Sequence, residues 1–142
     1  MTRSDDWQAR LEAFLSKHQF DSFHYGRWDC CLFVCDAIRE MTGIDPAAAF
    51  RGSYSSQVEA RRAVRAYGTT VQAVVEAVAV QYGMPETGVL HARRGDVALL
   101  RRNCGRDYSL GLVALNGYEI VLTSSMGLWR MPVATAVRAW HV

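Results

Sequence analysis

Several features that place a chain in a membrane, in an export pathway or among disordered proteins are missing from this 142-residue sequence. The most apolar helical stretch, 71–82, contains Glu76 and two glutamines, so we expect no membrane span, which needs roughly 20 apolar residues. The first six residues include Asp5 and Asp6, so we expect no secretory signal. Half of the residues are hydrophobic, which excludes a disordered chain.

The sequence also has no large excess of positive or negative charge. The formal net charge of +2 is too small to indicate nucleic-acid binding. No glycine-rich loop follows a predicted strand, so nucleotide binding has no support. Lysine is nearly absent, and five arginines, which we call the arginine cluster, flank one predicted strand: Arg93, Arg94, Arg101, Arg102 and Arg106. This cluster could be a solvated edge of the sheet or a surface for an acidic partner.

Four helices are predicted in the first part of the chain, at 5–17, 29–42, 55 or 56 to 67, and 69 or 70 to 82. Their apolar residues recur at spacings of three and four, as one face of an amphipathic helix requires. Gly43, Gly68 and Gly83 follow the last three helices as C-terminal stop signals.

Short strands are predicted in the second part, at 97–100, 110–115, 118–123, 128–131 and 137–142. They are rich in β-branched or aromatic residues, and Asn116-Gly117 between two of them indicates a hairpin turn. Helices followed by antiparallel strands predict an α+β fold, with N-terminal helices packed on a C-terminal antiparallel sheet. The length predicts a single domain, 1–142, with a helical part at about 5–83 and a sheet part at about 95–142.

Cys30 is the first candidate for a catalytic residue. Asp29 before it is a natural N-cap, which places Cys30 in the first turn of the second helix. Unpaired N–H groups and the helix dipole stabilise a thiolate at that position. Its spacing to Val34 and Ala37 puts Cys30 on the apolar stripe that should face the sheet. The pattern fits a nucleophile, and it equally fits a small buried hydrophobic residue.

Two motifs resemble those of the NlpC-type papain-like cysteine peptidases, which cut peptide bonds in bacterial cell walls. Residues 25–34 read Y-G-x-x-D-C-x-x-F-V, similar to the nucleophile motif, and residues 95–99 read G-D-V-A-L, similar to the strand that opens the sheet. The resemblance covers the chain from about residue 23 to its end. It implies a papain-like, NlpC-type fold with Cys30 at the nucleophile position.

The resemblance also implies that the catalytic base is missing. In active relatives a histidine directly precedes a Val-Gly-Ile-type strand, and Ser109 occupies that position in this sequence. A serine hydroxyl is no base at neutral pH, and a cysteine without an imidazole loses its usual activation. His141 on the last predicted strand is a candidate substitute base, and His91 is another. We expect His18 and His24 in surface or loop roles.

The cysteines leave a metal site open as an alternative. Cys30, Cys31 and Cys35 fall within six residues of one helix, which is a poor disulfide framework, so we expect reduced thiols. Cys31, Cys35 and Cys104 could form a zinc or iron–sulfur site only with a fourth ligand. The prediction is therefore no metal and no cofactor.

The chain further resembles a narrower set of small bacteriophage and prophage tail-tip proteins that share this fold and lack the histidine. The matching segments are 28–33, 42–46, 50–54 and 138–142. This resemblance implies a virion component at the tail tip, made in the host cytoplasm. Its partners would be other tail-tip or hub proteins, with peptidoglycan as a further candidate.

Two hypotheses of function follow. The leading one is a structural or plugging component of the tail tip or baseplate, with Cys30 as a vestigial nucleophile. The segment from Arg51 to Tyr54 would then be a contact surface, and so would four members of the arginine cluster, Arg93, Arg94, Arg101 and Arg102. The alternative is an active cysteine hydrolase of peptidoglycan stem peptides that uses Cys30 with His141 or His91 as base.

Overall fold

Helices and strands follow one another in two blocks in the computed structural model, which describes residues 1–102 and 107–142. The helices are α1 (Trp7–His18), α2 (Cys30–Thr42), α3 (Gln57–Ala63) and α4 (Val71–Tyr82). The strands are β1 (Glu86–Thr87), β2 (Val97–Arg102), β3 (Asp107–Val113), β4 (Glu119–Ser124), β5 (Gly127–Pro132) and β6 (Ala136–Trp140). The α+β class predicted from the sequence is confirmed, with the helices N-terminal and the sheet C-terminal.

The strands form one antiparallel sheet in the order β1-β6-β2-β3-β4-β5. The last strand is therefore second from one edge of the sheet, between the two-residue β1 and β2. Val97 at the start of β2 is opposite both Leu112 and Trp140, whereas Leu100 is opposite Ser109. Trp140 thus lies at the start of β2, three residues along that strand from the position opposite Ser109.

Both faces of the central strands are buried, which explains the uninterrupted apolar run 97–100. Val97 and Leu99 join the main core beneath the helices, while Ala98 and Leu100 join a smaller cluster on the other face. That second cluster is covered by Met131 and residues around the Val133–Thr135 turn. A strand buried on both faces needs apolar residues at every position, so it shows no alternation.

Capping fixes the ends of α2 and α4. Asp29 and Thr70 accept hydrogen bonds from the backbone N–H of Leu32 and Ala73 in the first turns. At the C-terminal ends, Gly43 (φ 78°) and Gly83 (φ 68°) adopt the left-handed conformation that a residue with a Cβ rarely takes.

The third helix and the first strand differ from the sequence-based expectation. α3 ends at Ala63, and the following residues form tighter turns in which Tyr67 N–H donates to the Val64 carbonyl. Val64 and Tyr67 pack against a small core beside α2, and this contact outweighs the helical pattern. β1 was not predicted because its two residues carry no periodicity, and they pair only with β6.

No helix in the described part of the chain is long and apolar enough to cross a bilayer. The longest of them, α2, has 13 residues.

Candidate functional site

Cys30 is the first residue of α2, and its thiol lies against the start of β3. The backbone N–H of Leu110 and the hydroxyl of Ser109 both act to lower the pKa of this thiol. Burial has the larger effect and raises the pKa of Cys30 to about 11. The negative charge of Asp29 acts in the same direction as burial. Cys30 is therefore a protonated thiol at neutral pH, despite its place at a helix N-terminus.

Ser109 is the side chain that the structure brings to Cys30. It is buried in β3 opposite Leu100. Within the described residues its buried Oγ has no well-formed hydrogen bond. No imidazole is among the groups that most influence the Cys30 thiol. None of the described groups that most influence the thiol could therefore take the proton from the sulfur.

A buried network holds the start of α2 in place. Asp29 is 3% exposed and accepts three hydrogen bonds, from the backbone N–H of Leu32 (2.8 Å), that of Gly26 (3.0 Å) and the hydroxyl of Tyr54 (2.5 Å). Burial and this bond raise the pKa of Tyr54, so the phenol stays protonated and donates. The N-cap role of Asp29 is visible in the sequence, but the role of Tyr54, 25 residues away, is not.

His141 was predicted on the last strand, but β6 ends at Trp140 and His141 follows it, where its backbone N–H donates to the Pro85 carbonyl. Its Nδ1 is 2.6 Å from Oδ2 of the buried Asp96, which directly precedes β2. Along β2, Asp96 is four residues from Leu100, the residue opposite Ser109, a separation of roughly 13 Å. A general base needs about 2.6–3.2 Å to the proton donor. The structure therefore does not bring His141 to Cys30.

The other histidines have separate surroundings as well. His18 Nδ1 is 2.6 Å from Asp21 Oδ2, and its ring stacks on Trp28 at 4.5 Å between centroids. His24 is exposed, with Nδ1 2.9 Å from the carbonyl oxygen of Tyr25. His91 is an exposed residue at the end of a short 3-10 turn.

Comparison with known protein families settles the family to which this fold and site belong. A family model described as a domain of unknown function, DUF6950, matches residues 2–142. The chain belongs to the DUF6950 family. No curated protein matches the sequence.

The cysteines of this DUF6950 chain are free where the structure describes them. Cys30, Cys31 and Cys35 are unpaired thiols, and a hydrogen bond with Cys35 is the largest cause of the raised pKa of Cys31. Residues 1–102 and 107–142 contain no group of three His, Cys, Asp or Glu side chains that could hold a metal ion. Cys104, which would complete the alternative metal site, lies outside the described residues.

The hypothetical contact surfaces of the DUF6950 chain are only partly accessible. Tyr54 is buried, and the Arg51 guanidinium is bound to Asp45 through two hydrogen bonds and lies 2.6 Å from Asp36 Oδ1. This segment therefore stabilises the fold beside α2 and offers little surface to a partner. In the arginine cluster, 93–94 and 101–102 are exposed at opposite ends of β2, roughly 20 Å apart, and Arg106 lies outside the described residues.

The raised pKa of Cys30 gives a first prediction. Alkylation of the folded DUF6950 chain should be slow at Cys30 at neutral pH and accelerate up to about pH 11, because only the thiolate reacts. In a urea-unfolded sample the same peptide should titrate near 8.5, as an ordinary thiol does. Mass spectrometry of the Cys30 peptide at each pH measures the rate. Rapid labelling of folded protein below about pH 6 would reveal a charged partner and contradict the prediction.

Proposed function

We propose that this DUF6950 chain is a structural or plugging component of a bacteriophage tail tip, built on a degenerate papain-like, NlpC-type fold. The proposed loss of peptidase activity rests on one observation. Ser109 lies beside Cys30 at the position where the resembled peptidases have their histidine. The helices-first order, the helix that begins at Cys30 and the antiparallel sheet are in keeping with such an origin.

The chemistry of the site supports a role without catalysis. With a pKa of about 11, about one Cys30 thiol in ten thousand is ionised at pH 7, compared with a few per cent for an ordinary cysteine. Ser109 cannot accept the proton, and His141 is held at Asp96. A thiol in this state has neither of the two means by which cysteine nucleophiles are activated, a lowered pKa or an adjacent base.

The tail-tip assignment is supported by the resemblance of segments 28–33, 42–46, 50–54 and 138–142 to small tail-tip proteins. Much of these segments is internal: Trp28, Phe50, Tyr54 and Trp140 are all buried. The segments would therefore preserve the fold, while the exposed arginines at both ends of β2 remain available to neighbouring tail-tip or hub proteins.

Hydrolysis of peptidoglycan stem peptides is the competing function. It is favoured by the position of Cys30 at the start of α2, with the Leu110 N–H directed at the sulfur. It requires a further base, because no imidazole is among the described groups that most influence the thiol.

Substitution of Cys30 separates the two functions. We expect the chain in purified virions at a fixed ratio to other tail proteins, and Cys30→Ala virions as infectious as wild type, measured by quantitative mass spectrometry and plaque titre. Cys31→Ala is the matched control for loss of a neighbouring thiol. The chain's absence from particles would overturn the tail-tip role. Release of peptides from purified peptidoglycan by the wild-type protein, but not by Cys30→Ala, would overturn the loss of activity.

A further inference from the structure

A groove between the end of α1 and the β4–β5 hairpin is unused by the site around Cys30. Its volume is about 500 Å³, and buried or partly buried leucines such as Leu15 and Leu128 line it. Phe20 and Met126, also in its lining, are 81% and 87% exposed. Two large apolar side chains at one apolar groove are typical of a protein–protein contact surface.

The two walls of this groove, which we call the α1 wall and the β5 wall, run side by side. The backbone N–H of Leu128 donates to the Gln19 carbonyl, and Gly127 packs against the backbone of Gln19 and Phe20. These contacts join the C-terminal end of the α1 wall to the start of the β5 wall. Phe20 and Met126 therefore lie at the same end of the groove.

Opposite charges lie toward the other end. Glu12 precedes Gln19 on the α1 wall by seven residues, or about 10 Å of helix. Arg130 follows Leu128 on the β5 wall by two residues, or about 7 Å of strand. Glu12 has no ion-pair partner among residues 1–102 and 107–142, and the Arg130 guanidinium has only a 3.7 Å contact with Glu119. Each wall thus runs from a charged residue to an exposed apolar one.

We propose that this groove is the interface of a symmetric homodimer. A two-fold axis along the groove places the α1 wall of one subunit against the β5 wall of the other, as an isologous contact requires. Glu12 then faces Arg130 of the partner subunit, and Phe20 faces Met126 of the partner subunit. The first contact is an ion pair across the interface, and the second is a favourable sulfur–aromatic contact. Both contacts occur twice, so the two walls are complementary to each other in charge and in apolar character.

We infer that a second copy of the chain binds in the groove because two pairs of residues match across the two walls, Glu12 with Arg130 and Phe20 with Met126. An unrelated partner would need no particular relation between the two walls, whereas a two-fold partner requires opposite charges, or two apolar residues, at equal levels on them. The proposal is independent of the tail-tip function, because it uses none of the residues around Cys30.

Sedimentation velocity of the full chain over a concentration series tests the interface. We expect a concentration-dependent dimer, and a dissociation constant raised about ten-fold or more by Phe20→Ser, by Glu12→Arg or by Arg130→Glu. The double variant Glu12→Arg/Arg130→Glu restores both ion pairs with reversed sign, so its dissociation constant should return toward that of the wild type. Val80→Ser is the matched control, because Val80 is equally exposed (84%) but lies on α4 outside the groove.

Two results would overturn the homodimer. The first is a wild-type chain that sediments as a monomer at concentrations up to about 1 mM, where the association free energy would be only about −4 kcal/mol. The second is a double variant that dimerises no better than the two single variants. Circular dichroism of each variant checks that the substituted chains are folded.

Discussion

Replacement of Asp96 by alanine is expected to lower the free energy of unfolding by about 3–5 kcal/mol, the range for a buried ion pair that loses one member. Asp96 is completely buried. Its Oδ1 accepts from the Arg3 guanidinium at 2.7 Å and from the Val142 backbone N–H at 3.2 Å. Its Oδ2 lies 2.7 Å from the Arg93 N–H and 2.6 Å from His141 Nδ1.

The size of this effect follows from the number of groups that one carboxylate satisfies. Without it, two backbone N–H groups lose their acceptor, and the half-buried Arg3 cation loses its counter-ion. An unsatisfied buried group costs about 1–3 kcal/mol. The cluster also ties the segment before α1 to the two residues that follow β6, since the Arg3 Nε donates to the Val142 carbonyl and His141 lies at Asp96. We expect both segments to loosen together.

Urea unfolding followed by circular dichroism measures the loss. Glu86→Gln is the matched control, because Glu86 forms a two-bond ion pair with Arg138 at an exposed position, where such pairs contribute about 0–1 kcal/mol. Arg3→Ala should fall between the two, because Asp96 then keeps its backbone donors and His141. An Asp96→Ala chain as stable as Glu86→Gln would contradict the ion-pair network.

Replacement of Asp29 by alanine should lower the free energy of unfolding by about 3–4 kcal/mol, several times the effect of an ordinary N-cap. The carboxylate caps α2, fixes the Gly26 turn and accepts the Tyr54 hydroxyl, all in a buried setting. Alanine leaves these three donors without an acceptor. Because Cys30 directly follows Asp29, its position against β3 should be lost as well, and Cys30 should be alkylated faster in this variant.

Two matched variants separate the contributions. Ser56→Ala removes the exposed N-cap of α3, which accepts only from the Glu59 backbone N–H, and should cost about 0.5–1 kcal/mol. Tyr54→Phe keeps the buried ring and removes one donor to Asp29, at a cost of about 1–2 kcal/mol. An Asp29→Ala effect no larger than that of Ser56→Ala would show that the buried network adds nothing to simple capping.

Local features of the fold were predictable from the sequence because they depend on neighbouring residues. The N-caps Asp29, Ser56 and Thr70 and the stop at Gly83 are each fixed within one turn of helix. The hairpin at Asn116-Gly117 is likewise local: the Asn116 side chain accepts from the N–H of Tyr118 and of Glu119. β1 and the early end of α3 escaped prediction because distant residues stabilise them.

The candidate site also has features that the sequence predicts and features that only the structure shows. Sequence placed Cys30 at a helix start and identified Ser109 through a resemblance, and the structure brings the two together. Sequence could not show that burial raises the pKa of Cys30 to about 11, because desolvation depends on what packs around the thiol. Nor could it show that Tyr54 stabilises the cap, since the two residues meet only when the chain between α2 and α3 folds back on α2.

The sequence by itself determined the class of the fold, the order of its elements and the residue that begins α2, because periodicity and capping are short-range properties. The tertiary structure alone decided where the candidate bases lie. Pairing of β6 with both β1 and β2 carries His141 to Asp96, before the start of β2, whereas Ser109 beside Cys30 is opposite Leu100 further along that strand. Strand order depends on contacts between residues far apart in the chain, and the local pattern of a strand does not specify which neighbours it will have.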